Sequence, residues 1–361
     1  MANVNDYILW RGDQKVSIFN PINNVDAMIL ARISYLPFNK IKMEERETIG
    51  TICDKMAAKL KISDYMWPDD FKLVHNLRFS RRFKNMRVTD YVRNNSKTLE
   101  RQFSAVTIHI NHHELYLSFF GTDDSLVGWK EDFNLAFLDH IPAQEEGQKY
   151  LADIRHKYPF RAMRLGGHSK GGNIAMYVAI TAKDSWQRRM RRIYNFDGPG
   201  LRKGTAALDR GLTKVVRKIQ SFIPQDSVIG RLFEHNEKVT VVKSNAKNLY
   251  QHDIYSWEIL GKHIVKSETT KNSDLVDKTI TMWIETATEE ERKIFINSLF
   301  DVFASANVNN PLELRAHWVK FAPTMFKAYR NIPKEKRAVM MEVWKKLGAS
   351  FIKARKGKNA K

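Results

Sequence analysis

Only one cysteine, Cys53, occurs in 361 residues. A single thiol cannot close an internal disulfide, and it excludes a zinc site built on several cysteines. No stretch approaches the roughly 18 uninterrupted apolar residues that a transmembrane helix needs. The N-terminal residues reach charge too soon for the apolar core of a signal peptide, so the sequence predicts a cytoplasmic protein, with peripheral contact to a membrane left open. Negative charge is in deficit. Asp and Glu number 40 against 60 Lys and Arg, a formal charge of +20. That surplus attracts nucleic acid, anionic lipid or acidic substrates without choosing among them. Internal repeats are lacking too, and the only low-complexity stretch is the basic C-terminal run. A hydrophobic content of 43% excludes a disordered chain.

Hydrophobic patterning supplies the organisation. Residues 7–10 and 16–19 flank Arg11-Gly12-Asp13-Gln14 and predict an N-terminal β-hairpin. Asn23 or Asn24 can then cap a helix with Met28, Ile29, Ile33 and Leu36 on one face, stopped by Pro37. A further helix over 44–60 turns Ile49, Ile52, Cys53 and Met56 inward, which makes Cys53 a small core residue rather than a nucleophile. Runs at 106–110 and 115–120 predict a second hairpin. Short strands at 162–165, 193–196, 219–223 and 239–242 alternate with helical stretches, among them 150–158 and 173–182. That alternation predicts a mostly parallel sheet covered on both faces. Beyond residue 266 glycine nearly disappears and helical periodicity takes over. Thr288 and Glu291 form a capping box there, and helices follow over 311–329 and 334–353. The expected organisation is therefore an α/β domain over residues 1–266 and a basic helical region over 267–361.

The sharpest local signal is Gly167-His168-Ser169-Lys170-Gly171, a G-x-S-x-G pattern. It follows a predicted strand and opens a predicted helix, as a nucleophile elbow requires. A serine hydroxyl needs a base to take its proton, usually a histidine oriented by a carboxylate. His252 lies in a loop beyond the strand at 239–242 and is the favoured base over His235, His263 and His317. His168, next to the serine, is expected to point elsewhere. Two carboxylates at strand ends compete as the acid. Asp226 is favoured, standing one strand before the histidine. Asp197 is the alternative, and it could instead fix the Asp197-Gly198-Pro199-Gly200 turn. Asp253 borders His252, but adjacent side chains rarely reach triad geometry. Lys170 should give one oxyanion donor through its backbone N–H, with its side chain in solvent. Thr122, in Phe119-Phe120-Gly121-Thr122-Asp123-Asp124, should give the second.

These segments together resemble the fungal-type triacylglycerol lipases and, more closely, the Mbeg-like family, a bacterial family of α/β-hydrolase type. The closer resemblance rests on Asp6-Tyr7-Ile8-Leu9-Trp10-Arg11-Gly12-Asp13, Gly121-Thr122-Asp123-Asp124-Ser125-Leu126-Val127-Gly128-Trp129, Gly167-His168-Ser169-Lys170-Gly171-Gly172-Asn173, Phe196-Asp197-Gly198-Pro199-Gly200 and Gln251-His252-Asp253. It implies an α/β-hydrolase fold and serine esterase or lipase chemistry. It supports Ser169 and His252, then Asp226, with Thr122 and Lys170 at the oxyanion. Neither metal nor cofactor is implied. The expected substrate is a small-molecule or lipid ester. The alternative is a non-catalytic protein on a hydrolase scaffold, acting at an anionic membrane through its basic tail. No nucleic-acid motif is present, and the sequence leaves the oligomeric state open. A basic helical insertion at 201–218 is the candidate lid.

Overall fold

The computed structural model describes residues 2–44, 46–123, 125–202, 206–308 and 318–356. Seven strands form the main sheet: β1 (Arg87–Ser96), β2 (Arg101–His109), β3 (Glu114–Phe119), β4 (Ala162–His168), β5 (Met190–Phe196), β6 (Ile219–Pro224) and β7 (Val239–Val242). They lie side by side in chain order. β2 and β3 pair antiparallel, with Ala105 opposite Phe119, while β3 to β7 are parallel throughout. Two short strands, β8 (Ile259–Leu260) and β9 (His263–Ile264), form a separate ribbon.

The helices are α1 (Val4–Arg11), α2 (Asn24–Ile33), α3 (Ile49–Lys59), α4 (Pro68–Leu77), α5 (Leu126–Asn134), α6 (Pro142–Lys157), α7 (Lys170–Thr181), α8 (Asp184–Arg189), α9 (Ala206–Val215), α10 (Lys271–Thr286), α11 (Glu289–Ser305), α12 (Trp318–Asn331) and α13 (Lys334–Lys356). The chain forms two compact units. The first is Met1–Arg93, Phe103–Gly121 and Glu146–Thr270. The second is Asn94–Gln102, Thr122–Glu145 and Lys271–Lys361, so two short segments from the first half of the chain join the helical tail.

In the first unit the sheet sorts its side chains by the two-residue period of a strand. Tyr116 and Ser118 on β3 reach α2, where their hydroxyls donate to the carbonyls of Ala27 and Ala31. Tyr194, Phe196 and Phe222 stack on that same face. Phe119 and Asn195 point the other way, toward Tyr150 and Met176. Helix α2 is therefore buried along Val25–Ile33, and α7 is buried from Lys170 to Ile180. Asn23 caps α2, accepting from Val25 and Asp26, and the Asp26 carboxylate takes the Asn23 N–H in return.

The predicted N-terminal β-hairpin does not form. Residues 4–11 are helix α1, and residues 16–19 belong to no strand. A capping box explains this: Asn3 accepts from the N–H groups of Asn5 and Asp6, and Asp6 takes the N–H of Asn3. Val4, Tyr7 and Ile8 then face the core at helical spacing, leaving Leu9 72% exposed. The helix expected from residue 44 begins only at Ile49, where Thr48 caps it. Cys53 is fully buried, as its spacing predicts.

One buried ion pair stiffens the layer beneath α2. The Arg32 guanidinium meets both oxygens of Asp70 at 2.6 Å, and the Tyr255 hydroxyl donates to the same carboxylate at 2.7 Å. Arg32 and Asp70 are 1% and 0% exposed. Removing one partner strands a buried charge, so Asp70→Ala should cost about 3–5 kcal/mol. Urea unfolding of the variant checks this, and a loss below about 1 kcal/mol would count against the pair's isolation from water.

In the second unit α13 packs on α10 and α11, and α11 packs on α5 and α12. Thr288 and Glu291 form the expected capping box at the start of α11. Helix α12 carries the later part of the helix expected over 311–329; residues 309–317, His317 among them, lie outside the described residues. Among the described residues no helix is long and apolar enough to cross a membrane.

Candidate active site

Strand β4 runs in the middle of the parallel sheet and turns abruptly into α7 at Ser169. The turn forces Ser169 to φ 57° and ψ −134°, a conformation that costs a non-glycine residue roughly 1–3 kcal/mol. Ser169 is tied on both sides of this bend. Its N–H donates to the Phe196 carbonyl at 2.9 Å, and its carbonyl accepts from Gly172 at 2.9 Å. Glycine is obligatory around it for space. A Cβ on Gly167 would stand 2.3 Å from the Gly171 carbonyl carbon, and one on Gly171 would stand 2.2 Å from the Phe119 carbonyl oxygen. The chain thus packs β3, β4 and the start of α7 without intervening side chains. Lys170 is the first residue of α7, where backbone N–H groups point out of the helix at its positive end. Lys170 is 1% exposed, contrary to the expectation that its side chain stands in solvent, because α7 is buried from its first residue to Ile180.

His252 ends the short 3-10 turn Asn248–His252 beyond β7. Its Nδ1 lies 2.6 Å from Oδ2 of Asp197. Asp197 follows β5 directly, sits at φ 51° and is 1% exposed. Its N–H donates to the Phe222 carbonyl at 2.8 Å, and its other carboxylate oxygen accepts from the Ser227 hydroxyl at 2.5 Å. The Gly198-Pro199-Gly200 turn does not depend on that carboxylate. Asn195 bonds both backbone groups of Gly198, and the Asn173 amide donates to the carbonyls of Pro199 and Gly200. The Asp197 carboxylate is therefore committed to His252 and Ser227.

Asp226, the favoured acid in the sequence reading, is occupied otherwise. Its carboxylate accepts from the Gln251 amide at 2.8 Å and from the Thr270 hydroxyl, and its N–H donates to Gln251 Oε1 at 3.0 Å. The carboxylate that meets the histidine ring is the alternative, Asp197. The physical reason is reach: β5 is the strand beside β4, so its end delivers a carboxylate next to the elbow, while the end of β6 delivers one to residue 251. Asp253 accepts from the Tyr255 N–H and caps the next turn. His235 pairs with Glu237 at 2.8 Å, and His263 lies on β9.

His168 is a residue the sequence reading missed. No spacing rule points to it, and it was expected to turn away. Its Nε2 lies 2.7 Å from the His252 carbonyl oxygen, and the two rings approach to 4.5 Å between centroids. A carbonyl can only accept, so Nε2 carries the proton and Nδ1 is left to face the Tyr35 hydroxyl at 3.3 Å. Tyr35 also bonds the His168 carbonyl. Burial above all, with His252 and Arg32 adding to it, holds the His168 imidazole well below the usual histidine range. The loop carrying His252 is thus held by its backbone at residue 252 by His168, and at residue 251 by Asp226 and by the Trp257 indole at 2.8 Å.

A second buried histidine, His109 on β2, is lowered to about 4 by burial, with Arg87 and Arg161 adding to it. Unfolding releases both imidazoles to titrate near 6.5. Below that value the unfolded chain takes up protons that the folded chain refuses. Their contribution to stability is therefore full above about pH 6.5 and lost as pH falls. The urea midpoint should decline from pH 7.5 to pH 5, and His109→Gln should make the decline shallower. A flat profile in the wild type would contradict the assignment.

Strand β3 closes the site from the other side. A Cβ on Gly121 would stand 2.6 Å from the His168 carbonyl oxygen and 3.2 Å from the Ser169 Cβ. Thr122 begins a segment of the second unit, in which its hydroxyl donates to Asp132. Asp124 lies outside the described residues. In the candidate lid, residues 206–215 form α9, which packs on α7, and residues 203–205 lie outside the described residues.

A model of the Mbeg1-like family matches residues 77–301. No curated protein matches the sequence. Among solved structures, the Lip2 lipase from Yarrowia lipolytica aligns with 60% of this chain and 76% of its own, at 14% identity and a TM-score of 0.37. A mutant form of MDLA from Penicillium cyclopium aligns with 66% of this chain and 83% of its own, at 14% identity and a TM-score of 0.38. The Rhizomucor miehei lipase propeptide complex aligns with 44% of this chain and 57% of its own, at 15% identity and a TM-score of 0.33.

Proposed function

The chain belongs to the Mbeg1-like family, and from that premise we propose that it is a serine hydrolase of carboxylic esters, with Ser169 as nucleophile, His252 as base and Asp197 as the acid that orients it. The observation that carries this reading is the 2.6 Å contact between His252 Nδ1 and the Asp197 carboxylate, beside a serine held at positive φ between a strand and a helix. Asp197 keeps the proton of His252 on Nδ1, which leaves Nε2 as the lone-pair nitrogen.

Ser169 Oγ attacks the ester carbonyl as His252 Nε2 takes its proton. The tetrahedral intermediate collapses to an acyl-enzyme, and the alcohol leaves with the proton that His252 returns. Water then repeats the sequence on the acyl group, releasing the acid and restoring Ser169. The Lys170 N–H, at the positive end of α7, is the proposed first donor to the oxyanion. Thr122 is the proposed second, from its place in the sequence one residue after Gly121. Asp226 is proposed as a positioning residue, acting through Gln251. A lipid ester is within this reading, because the same chemistry serves any accessible carboxylic ester.

The test is labelling with a fluorophosphonate, followed by p-nitrophenyl esters of graded chain length. Labelling that depends on Ser169, with turnover of at least one ester, supports the reading. A folded protein that neither labels nor turns over any of them would overturn it.

A further inference from the structure

Helix α13 presents two stripes. Met340, Val343, Ser350 and Ala354 are its buried residues. Met341, Trp344, Phe351 and Ile352 are centred roughly 115° round the helix from them, at roughly 100° per residue, and Trp344 at the near edge packs edge-on against Phe295 of α11. They are 50%, 51%, 44% and 55% exposed. Met341, Phe351 and Ile352 thus extend an exposed apolar surface beside the buried face.

Five of the eight cations on α13 follow the second stripe. Arg337 and Arg355 fall within it, Lys334, Lys345 and Lys356 flank its edge, and Lys336, Lys346 and Lys353 lie elsewhere on the helix. The two acids of the helix, Glu335 and Glu342, fall on the far side. Residues 318–356 as a whole carry eleven Lys and Arg against two Glu. Helix α12 has the same make-up: Trp318, Val319 and Phe326 are each more than 60% exposed on a helix whose charged residues are all basic.

Three occupants fit an apolar face, and charge separates them. A second copy of the chain would set this positive region against itself across a two-fold axis, which opposes association. A nucleic acid satisfies the cations but gains nothing from solvent-facing Met341, Ile352 and Val319. An anionic bilayer satisfies both, since headgroups meet Lys and Arg while Phe, Ile and Trp enter the boundary with the acyl chains. We propose that α13 docks this protein on anionic membrane surfaces, with Phe351 and Ile352 inserted and Lys345 and Arg355 at the headgroups. This adds a place of action to the esterase reading, but it rests on the helical unit alone.

The experiment is co-sedimentation of the full chain with vesicles of phosphatidylcholine, alone or with about 30% phosphatidylserine. The expected result is at least tenfold tighter binding to the anionic vesicles, weakening as salt rises. Phe351→Ser with Ile352→Ser should lower that binding about tenfold, as should Lys345→Glu with Arg355→Glu. Both pairs are solvent-facing, so the thermal midpoint should hold and reports folding directly. Equal or absent binding to the two vesicles would overturn the proposal. So would tighter binding to single-stranded DNA that ignores the apolar pair, or a dimer that the apolar pair abolishes. Binding is read as protein in the pellet and needs no turnover, so its failure leaves the esterase reading standing, and the reverse holds as well.

Discussion

Ser169→Ala should abolish ester turnover, with kcat/KM falling by about 10⁴-fold or more, while the protein stays folded. The size follows from the mechanism. Without Oγ no acyl-enzyme forms, and His252 and the oxyanion donors are left with nothing to activate or stabilise. Alanine accepts the bend no better than serine, so the thermal midpoint should change little. Fluorophosphonate labelling should vanish in the same variant. Retained labelling would mean that the probe reacts elsewhere and that the elbow serves only to turn the chain.

The second large effect separates the two aspartates. Asp197→Asn should lower kcat by about 10³- to 10⁴-fold with KM little changed. An asparagine amide facing Nδ1 can donate, which favours the tautomer that carries its proton on Nε2 and so removes the base. Asp226→Asn should behave differently. The amide oxygen can still accept from Gln251, so kcat should stay within about tenfold of wild type, while stability falls by about 1–2 kcal/mol as the contacts with Gln251 and Thr270 weaken. If Asp226→Asn proved the more damaging to kcat, the acid would be Asp226 and the contact in the folded chain a resting arrangement.

The sequence made these two aspartates look alike because both follow a parallel strand, where α/β sheets place their sites. Chain order favours the later one. Strand adjacency decides between them, and adjacency is a property of the folded sheet. The elbow was readable because its requirements are local: a strand, a serine, and glycines where backbones nearly touch. The N-terminus was misread for the opposite reason. Residues 7–10 are a short apolar run, which periodicity cannot assign to strand or helix, and the deciding signal was the pair Asn3 and Asp6 just before it. The contacts of His168 are unreadable because its partners, Tyr35 and His252, lie far from it in the chain, and the burial of Lys170 is unreadable because it depends on what covers α7 in the folded unit. Strand β1 carries no clear signal because it is mostly polar and lies at the sheet edge, where only Val88 is buried and the other side chains are partly or fully exposed.

The bend at Ser169 has an evolutionary side. In the proposed function, a serine at φ 57° spends stability on holding Oγ toward substrate, and glycine would hold the same bend without the steric conflict. Ser169→Gly should therefore recover part of the roughly 1–3 kcal/mol stored there, less the entropy that glycine loses on folding. Selection for robustness alone would drift toward that exchange. If Ser169 is the nucleophile proposed above, keeping it trades sturdiness for chemistry, and its exchange for glycine would trade chemistry for sturdiness.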